Sequence, residues 1–450
     1  MSRRSALRLT LAVAAALSLA VCRHEPVRPR NVIFILVDTL RADRLGTYGH
    51  ERATSPNIDA FAREAVKFEN ARSQSSCTFP SVNSMLTSRW PAVFLGQPDR
   101  AMGIPDSIPS LAEILRRNGF HTVAVSASSV VRNTPSRFNP SGGFGRGFDR
   151  FHEDCVWKSA ACVNGQAAEY LKSGERPLFL YLHYLDPHGP YRPPETWRRR
   201  FALSRTEKEW VRLGNPNPIG DWLYKEKPHP AFTPADLRFL EDLYDEEIAY
   251  FDAQFTELIA AMRDTGRLDD SIVVFSSDHG EEFLEHGHIK HCRTLFDTSI
   301  RVPLLLRIPG VEAKAVSRPV QNLDLVPTLL DYLGIESAAP FEGRSLRPVI
   351  EEDSGAKGDE HQYALQGVFR SASDGRFKLI QDLGSGAVSL FDLAADPGET
   401  RDVLRRERRV YARLRDALTG WIGRSEGKGS ESLRQAREAE ERLRSLGYIE

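Results

Sequence analysis

Three polar clusters stand where short apolar runs end. Asp38 follows VIFILV (32–37), HYLDPH (183–188) follows LFLYL (178–182), and Asp278 with His279 follows IVVFSS (272–277). One carboxylate at a strand end is weak evidence, because turns favour aspartate. Three clusters in the same position of separate strands carry more weight, since open α/β sheets bind ligands beyond the carboxyl ends of their strands. Asp38, Asp278 and His279 supply two hard oxygen donors and an imidazole, a set suited to one divalent cation: Mn, Zn, Ca or Mg. A fourth ligand that is also a nucleophile would complete a hydrolytic site. The stretch SSCTFPSVNSMLTSR (75–89) offers two neighbours for that role, Cys77 and Thr78, ahead of a helix in which Pro80 suits the first position. A helix start attracts anions, and a hydroxyl beside a divalent cation can attack phosphorus or sulfur. The residues alone leave the choice between Cys77 and Thr78 open.

The elements that must position these groups read as α/β. VIFILV, TVAV (122–125), LFLYL, IVVF (272–275) and VPLLL (302–306) are hydrophobic on both faces and alternate with helix-like segments, which predicts a mostly parallel central sheet flanked by helices. The strongest helical periodicity runs through DLYDEEIAYFDAQFTELIAAMRDTG, with Tyr244, Ile248, Phe251, Phe255, Leu258 and Met262 on one face and Gly266 as its stop. After about residue 355 the pattern shifts to YALQGVF, FKLI and VSLFDL, predicting a small C-terminal antiparallel α+β subdomain over 360–400 and a helical tail over 401–450. The catalytic unit spans 31–352, and between Gly189 and Pro234 lies a Pro-, Arg- and Trp-rich insertion.

Sixty basic and sixty-one acidic residues leave a net charge of -1, so nothing global suggests nucleic acid as a partner. At the start, Arg3, Arg4 and Arg8 precede an apolar run from Leu9 to Val21 that is too short for a membrane span and suits an export signal over 1–22. The run ends in LAVC, which resembles a bacterial lipobox, so Cys22 is expected to carry a lipid and hold the protein at the cell envelope. Of the other four cysteines, Cys155 and Cys162 are close enough in sequence for a small disulfide loop, although spacing alone does not set connectivity. His183, His286 and His288 stay outside the core assignment, because a histidine near a site is more often a neighbour of ligands than a ligand. Lys290 and the run Arg198, Arg199 and Arg200 have solvated readings at least as good as anion-binding ones.

From about Asn31 to its end the chain resembles the sulfatase branch of the alkaline phosphatase superfamily. The likeness rests on NVIFILVDTLRADRLGTYG, TFPSVNSMLTSRWP, LFLYLHYLDPHGPY, SIVVFSSDHGEEFLEHG, RVPLLLRIPG, LDLVPTLLDYLGI, EGRSL, LFDLAADPGE and LRSLGY in this order. It implies that Asp38, Asp278 and His279 bind one metal ion, and that His188 and His291 hold the substrate oxyanion or protonate the leaving group. Classical members carry Cys or Ser, then x-Pro-Ser-Arg, with the first residue converted to formylglycine. Counting back from Pro80, that position is Thr78; Cys77 lies one residue early and Val82 replaces the arginine. A second aspartate is usual after the first strand, where this chain has Thr39. A threonine with an Asp-His metal pair resembles the superfamily's phosphodiesterases and headgroup phosphotransferases, which implies Thr78 as nucleophile and leaves Cys77 packed at the helix start or bonded to Cys292. The expected activity is hydrolysis of sulfate or phosphate/phosphonate esters on a small, glycan-linked or lipid-linked anionic substrate. The alternatives are a lipid-headgroup phosphotransferase and an inactive anion-binding relative.

Overall fold

The computed structural model describes residues 29–95, 103–157, 159–174, 177–201, 206, 208–212, 232–351 and 361–426. The expected export segment with Cys22, residues 213–231 of the insertion and the tail after Glu426 lie outside them.

The strands in chain order are β1 (Asn31–Val37), β2 (Val66–Arg72), β3 (His121–Ser126), β4 (Arg150–His152), β5 (Leu178–Tyr184), β6 (Ser271–Ser276), β7 (Glu282–Phe283), β8 (Ile289–Lys290), β9 (Leu304–Arg307) and β10 (Lys314–Gln321). β7 and β8 form a hairpin of their own, and the others join into one eight-stranded sheet ordered β10-β2-β9-β6-β1-β5-β3-β4. Its strands pair in parallel except β9, which runs antiparallel to β2 and β6. An apolar run has no direction, so VPLLL could not announce this reversal. The consequence is local to the site. Because β9 returns beside β6, the whole connection between them stays over the carboxyl edge, and it carries Asp278 through Cys292.

Alternation in β1 shows why the central strands read as unbroken apolar runs. Ile33, Ile35 and Val37 enter one core beneath the helices Ala160–Lys172 and Pro234–Asp264, while Val32, Phe34 and Leu36 enter another beneath Thr78–Thr87, Leu111–Arg117 and Leu325–Leu333. The helix Pro234–Asp264 starts well before its strong periodicity. Thr233 caps it in a reciprocal box with Asp236, and Pro234 occupies the first turn, where a missing N–H costs nothing.

The C-terminal part is a meander of β11 (Gln362–Gln366), β12 (Phe369–Ser373), β13 (Phe377–Asp382) and β14 (Val388–Asp392), covered by the helix Arg408–Ser425. Trp421, Leu414 and Leu418 of that helix pack with Leu379 and Leu390. Its first strand props the loop before Thr78: Leu365 N–H donates to the Gln74 carbonyl at 2.9 Å, and Ser75 Oγ donates to Gln366 Oε1 at 2.7 Å.

Candidate active site

The pairing of β1 with β5 and β6 brings the predicted groups together. Leu36 lies opposite both His183 and Ser276, and the Asp38 N–H donates to the Tyr184 carbonyl at 3.0 Å, so Asp38 sits on the carboxyl edge between the two neighbours. Thr39 then takes φ 60°, an unusual conformation for a β-branched residue. That turn aims its N–H at Asp278 Oδ1 (3.3 Å) and the next N–H, of Leu40, at Ser277 Oγ (3.0 Å); Tyr244 OH fixes the turn by donating to the Thr39 carbonyl at 2.6 Å. Thr39, where the family resemblance leads one to expect a second aspartate, thus serves through its backbone.

His279 Nδ1 is 2.9 Å from the Gly280 carbonyl and donates to it, which leaves the Nε2 lone pair facing inward. Nε2 lies 3.1 Å from Thr78 Oγ1, 3.4 Å from Asp278 Oδ2 and 3.8 Å from Asp38 Oδ1. Asp38, Asp278 and His279 are buried, and their ligand atoms lie within 4.8 Å of one another. Asp38 Oδ1 and Asp278 Oδ2 are buried without a hydrogen-bond partner. Burial, and then the neighbouring Asp278 carboxylate, push the Asp38 carboxyl well above its ordinary range. Two orphaned carboxylate oxygens and an imidazole lone pair converging on one buried point fit a divalent cation, and hard oxygen with nitrogen is a suitable donor set for it.

Thr78 opens the helix Thr78–Thr87, so that helix begins two residues before Pro80, with Cys77 in extended backbone as its N-cap. Pro80 falls in the first turn, where its lack of N–H is harmless, and the early N–H groups have no intrahelical acceptor. Every residue of the helix is buried, and the loop before it is pinned by Ser81 Oγ donating to the Ser75 carbonyl at 2.8 Å. Val82, where the family motif has arginine, is fully buried in the apolar core. Cys77 is bonded to Cys292, and the Cys292 N–H donates to the Ser76 carbonyl at 2.7 Å. Cys155 and Cys162 form a second disulfide.

His188 and His291 meet beside this centre. Their rings are 5.1 Å apart, and the His291 ring is 4.6 Å from that of His279. Glu281 orients His291: Oε1 lies 2.9 Å from His291 Nδ1, while Oε2 accepts from Tyr191 OH at 3.0 Å. Burial, followed by the neighbouring imidazoles and Lys290, holds both His188 and His291 well below the ordinary imidazole range. Lys290, at φ 71°, stands next to this pair, its ammonium drawn down by burial against the opposing pull of Glu281.

His183, kept outside the ligand set as a neighbour of ligands, sits beside Asp38 as such a neighbour. His183 is fully buried, with Nε2 3.3 Å from Asp38 Oδ2 and Nδ1 3.0 Å from Tyr181 OH. Burial lowers its pKa to about 4, so it stays neutral, accepts from Tyr181 and donates to Asp38. Glu281 and Tyr191 are the residues of this site that sequence reasoning missed; the available signal is their place in DHGEE and DPHGPY. His183→Ala should leave the fold intact and weaken divalent-metal affinity about 10- to 100-fold, the usual cost of removing a ligand's orienting partner. Metal titration followed by tryptophan fluorescence checks this, and unchanged affinity rejects it.

The sequence profile of the sulfatase family matches residues 30–335. The chain belongs to the sulfatase family. The profile for the C-terminal part of N-sulphoglucosamine sulphohydrolase also matches, over 284–423. As a family member the protein is a sulfuric or phosphoric ester hydrolase. It is 27% identical over 348 residues to an ulvan-active sulfatase of Formosa agariphila, covering 73% of this chain and 66% of that relative's length. An arylsulfatase of Clostridium perfringens is 23% identical over 454 residues, covering 84% of this chain and 90% of the relative. Among solved structures, the phosphonate monoester hydrolase of Agrobacterium radiobacter superposes with a TM-score of 0.71 at 22% identity, covering 88% of this chain and 96% of that one; at this identity the likeness shows the fold.

Proposed function

We propose that this sulfatase-family chain is an exported, metal-dependent hydrolase whose nucleophile is Thr78 and which turns over phosphodiesters or phosphonate monoesters in preference to aryl sulfates. One observation carries the reading: Thr78 Oγ1 lies 3.1 Å from His279 Nε2, while the neighbouring Cys77 sulfur is committed to Cys292. Asp38, Asp278 and His279 would hold the cation with Thr78 as fourth ligand, and when bound it lowers the hydroxyl's pKa and offsets charge on the transferred group.

The chain's own residues do the remainder. Thr78 Oγ1 loses its proton to solvent and forms a bond to phosphorus, and the bond from phosphorus to the leaving alcohol breaks. His188 and His291 face the leaving oxygen. A bound anion favours their protonated forms, so one of them donates the proton that the alcohol carries away. Water then attacks the phosphothreonine and restores the hydroxyl. A sulfated threonine has only this direct attack for its release, whereas a formylglycine hydrate expels sulfate by collapse of its second hydroxyl. This asymmetry is why a plain hydroxyl favours phosphorus esters.

With leaving groups of equal pKa, kcat/KM for a phosphonate monoester or phosphodiester should exceed that for the aryl sulfate by about tenfold or more, or about 1.4 kcal/mol of transition-state stabilisation. Efficient sulfate release without phosphodiesterase or phosphonatase activity rejects the preference. For export, the Arg-rich start and LAVC support lipidation at Cys22, and Cys22→Ser should move the protein from the membrane to the soluble fraction. Membrane retention of that variant counts against the lipid.

A further inference from the structure

A cleft of about 320 Å³ that reaches His188 is lined in part by Trp157, Asp186, His188, Arg192 and Glu247. Glu247 is only 4% exposed; its Oε1 accepts from the Arg192 backbone N–H, and its Oε2 is buried with no hydrogen-bond partner. Asp186 Oδ2 accepts from the Ala160 N–H at 2.8 Å, at the start of the helix Ala160–Lys172. Among the described residues neither carboxylate has a cation within salt-bridge distance, and they repel one another: Asp186 raises Glu247, though burial is the larger cause. The guanidinium groups of Arg192 and Arg198 act on Glu247 from exposed side chains, where solvent screens them. In the same cleft lining, Trp157 is 49% exposed, lies with its ring 5.9 Å from that of His188, and sits inside the loop closed by Cys155 and Cys162.

An unpaired acid pair, one member with a free buried acceptor, and an aromatic face on a clamped loop make a receptor for a cation. The free acceptor selects among cations. A quaternary ammonium has no N–H to give Glu247 Oε2, whereas a primary ammonium can bond it, share a second N–H with Asp186 and present its charge to the indole. His188 lines the cleft and is linked through the His291 and His279 rings to Thr78, so an ester held at Thr78 would direct its alcohol portion toward the cleft. We infer that this cleft, built on Glu247, Asp186 and Trp157, is a leaving-group subsite that selects esters whose alcohol carries a primary ammonium. The inference rests on the ester hydrolase reading above and adds the substrate class to it.

The test uses metal-loaded full-length protein and paired phosphonate monoesters of 4-(2-aminoethyl)phenol and 4-propylphenol, which differ chiefly in the ammonium. Wild type should favour the ammonium ester about tenfold or more in kcat/KM, mainly through KM, as one charge-assisted hydrogen bond implies. In Glu247→Gln that ratio should fall to about one. Should Glu247→Gln fail to fold, Trp157→Ala at the exposed wall should lower the ratio about two- to fivefold. A wild-type ratio near or below one overturns the inference, as does a ratio that survives both substitutions. Calorimetric titration with 2-aminoethanol and with glucosamine distinguishes an amino alcohol from an amino sugar as the source, and binding of either that Glu247→Gln abolishes supports the subsite. Absence of binding by both overturns it. If neither ester is turned over while such binding persists, the Thr78 hydrolase reading fails and the cation subsite stands.

Discussion

Thr78→Ala should reduce phosphonate or phosphodiester turnover by at least about 10⁴-fold with little change in unfolding temperature, because removal of a nucleophile leaves only binding and electrostatic stabilisation. Thr78 is 6% exposed, and among the described residues its hydroxyl's side-chain hydrogen-bond neighbour is His279, so deleting one oxygen and one methyl opens little space. Thr78→Ser keeps a hydroxyl at the helix start and should retain measurable activity. Cys77→Ala gives the contrast. It breaks the bond to Cys292, a closure of 215 residues, and should cost about 2–5 kcal/mol of stability while kcat falls less than about tenfold. The Cys292 N–H bond to Ser76 and the buried helix continue to hold the nucleophile in place. Intact mass of the peptide over 73–89 should show threonine unmodified and the cysteine in its disulfide. Formylglycine in that peptide, or loss of activity in Cys77→Ala equal to that in Thr78→Ala, overturns the assignment.

How far the sequence reached follows from where each signal resides. The central strands were legible because burial on both faces forces an apolar residue at every position, as in β1 and β6. β10 was not, since KAVSRPVQ pairs only with β2 at the sheet edge and can afford Pro319, Arg318 and exposed positions. β4 is three residues long and has no periodicity to detect. Asp38, Asp278 and His279 announced themselves because Asp38 directly follows β1 and the adjacent Asp278 and His279 come just past the end of β6. His183 did not, because its partner is 145 residues away and the contact exists only through the parallel register of β1 with β5. Glu281 depends in the same way on the β6–β9 connection folding back across the carboxyl edge, a consequence of the antiparallel β9 that an apolar run cannot encode, whereas the Cys77–Cys292 bond is one of the two readings the family resemblance gives for Cys77.

Asp278→Ala should remove both bound metal and turnover, the latter by at least about 10⁴-fold. The size of the effect follows from what surrounds the carboxylate. Asp278 is fully buried; its Oδ1 accepts the Thr39 N–H at 3.3 Å and the His279 N–H at 3.0 Å, while Oδ2 has no partner and lies 3.4 Å from His279 Nε2. One oxygen therefore shapes the site and the other is kept for a ligand. Asp278→Asn separates the two duties: it keeps the shape and the Oδ1 contacts, removes the charge, and should fold as wild type yet bind metal far more weakly. Elemental analysis should find one divalent ion per wild-type chain and none in Asp278→Ala. Two tightly held ions would overturn the single-ion site. Chelation of the wild type should abolish turnover reversibly, and the unfolding temperature should fall on chelation and recover with metal, since two buried carboxylates then face each other uncompensated. In Asp278→Asn chelation should shift the unfolding temperature much less, because with one charge already gone the cation has little repulsion left to relieve. A chelator-insensitive wild type that retains full activity would remove the metal from the mechanism.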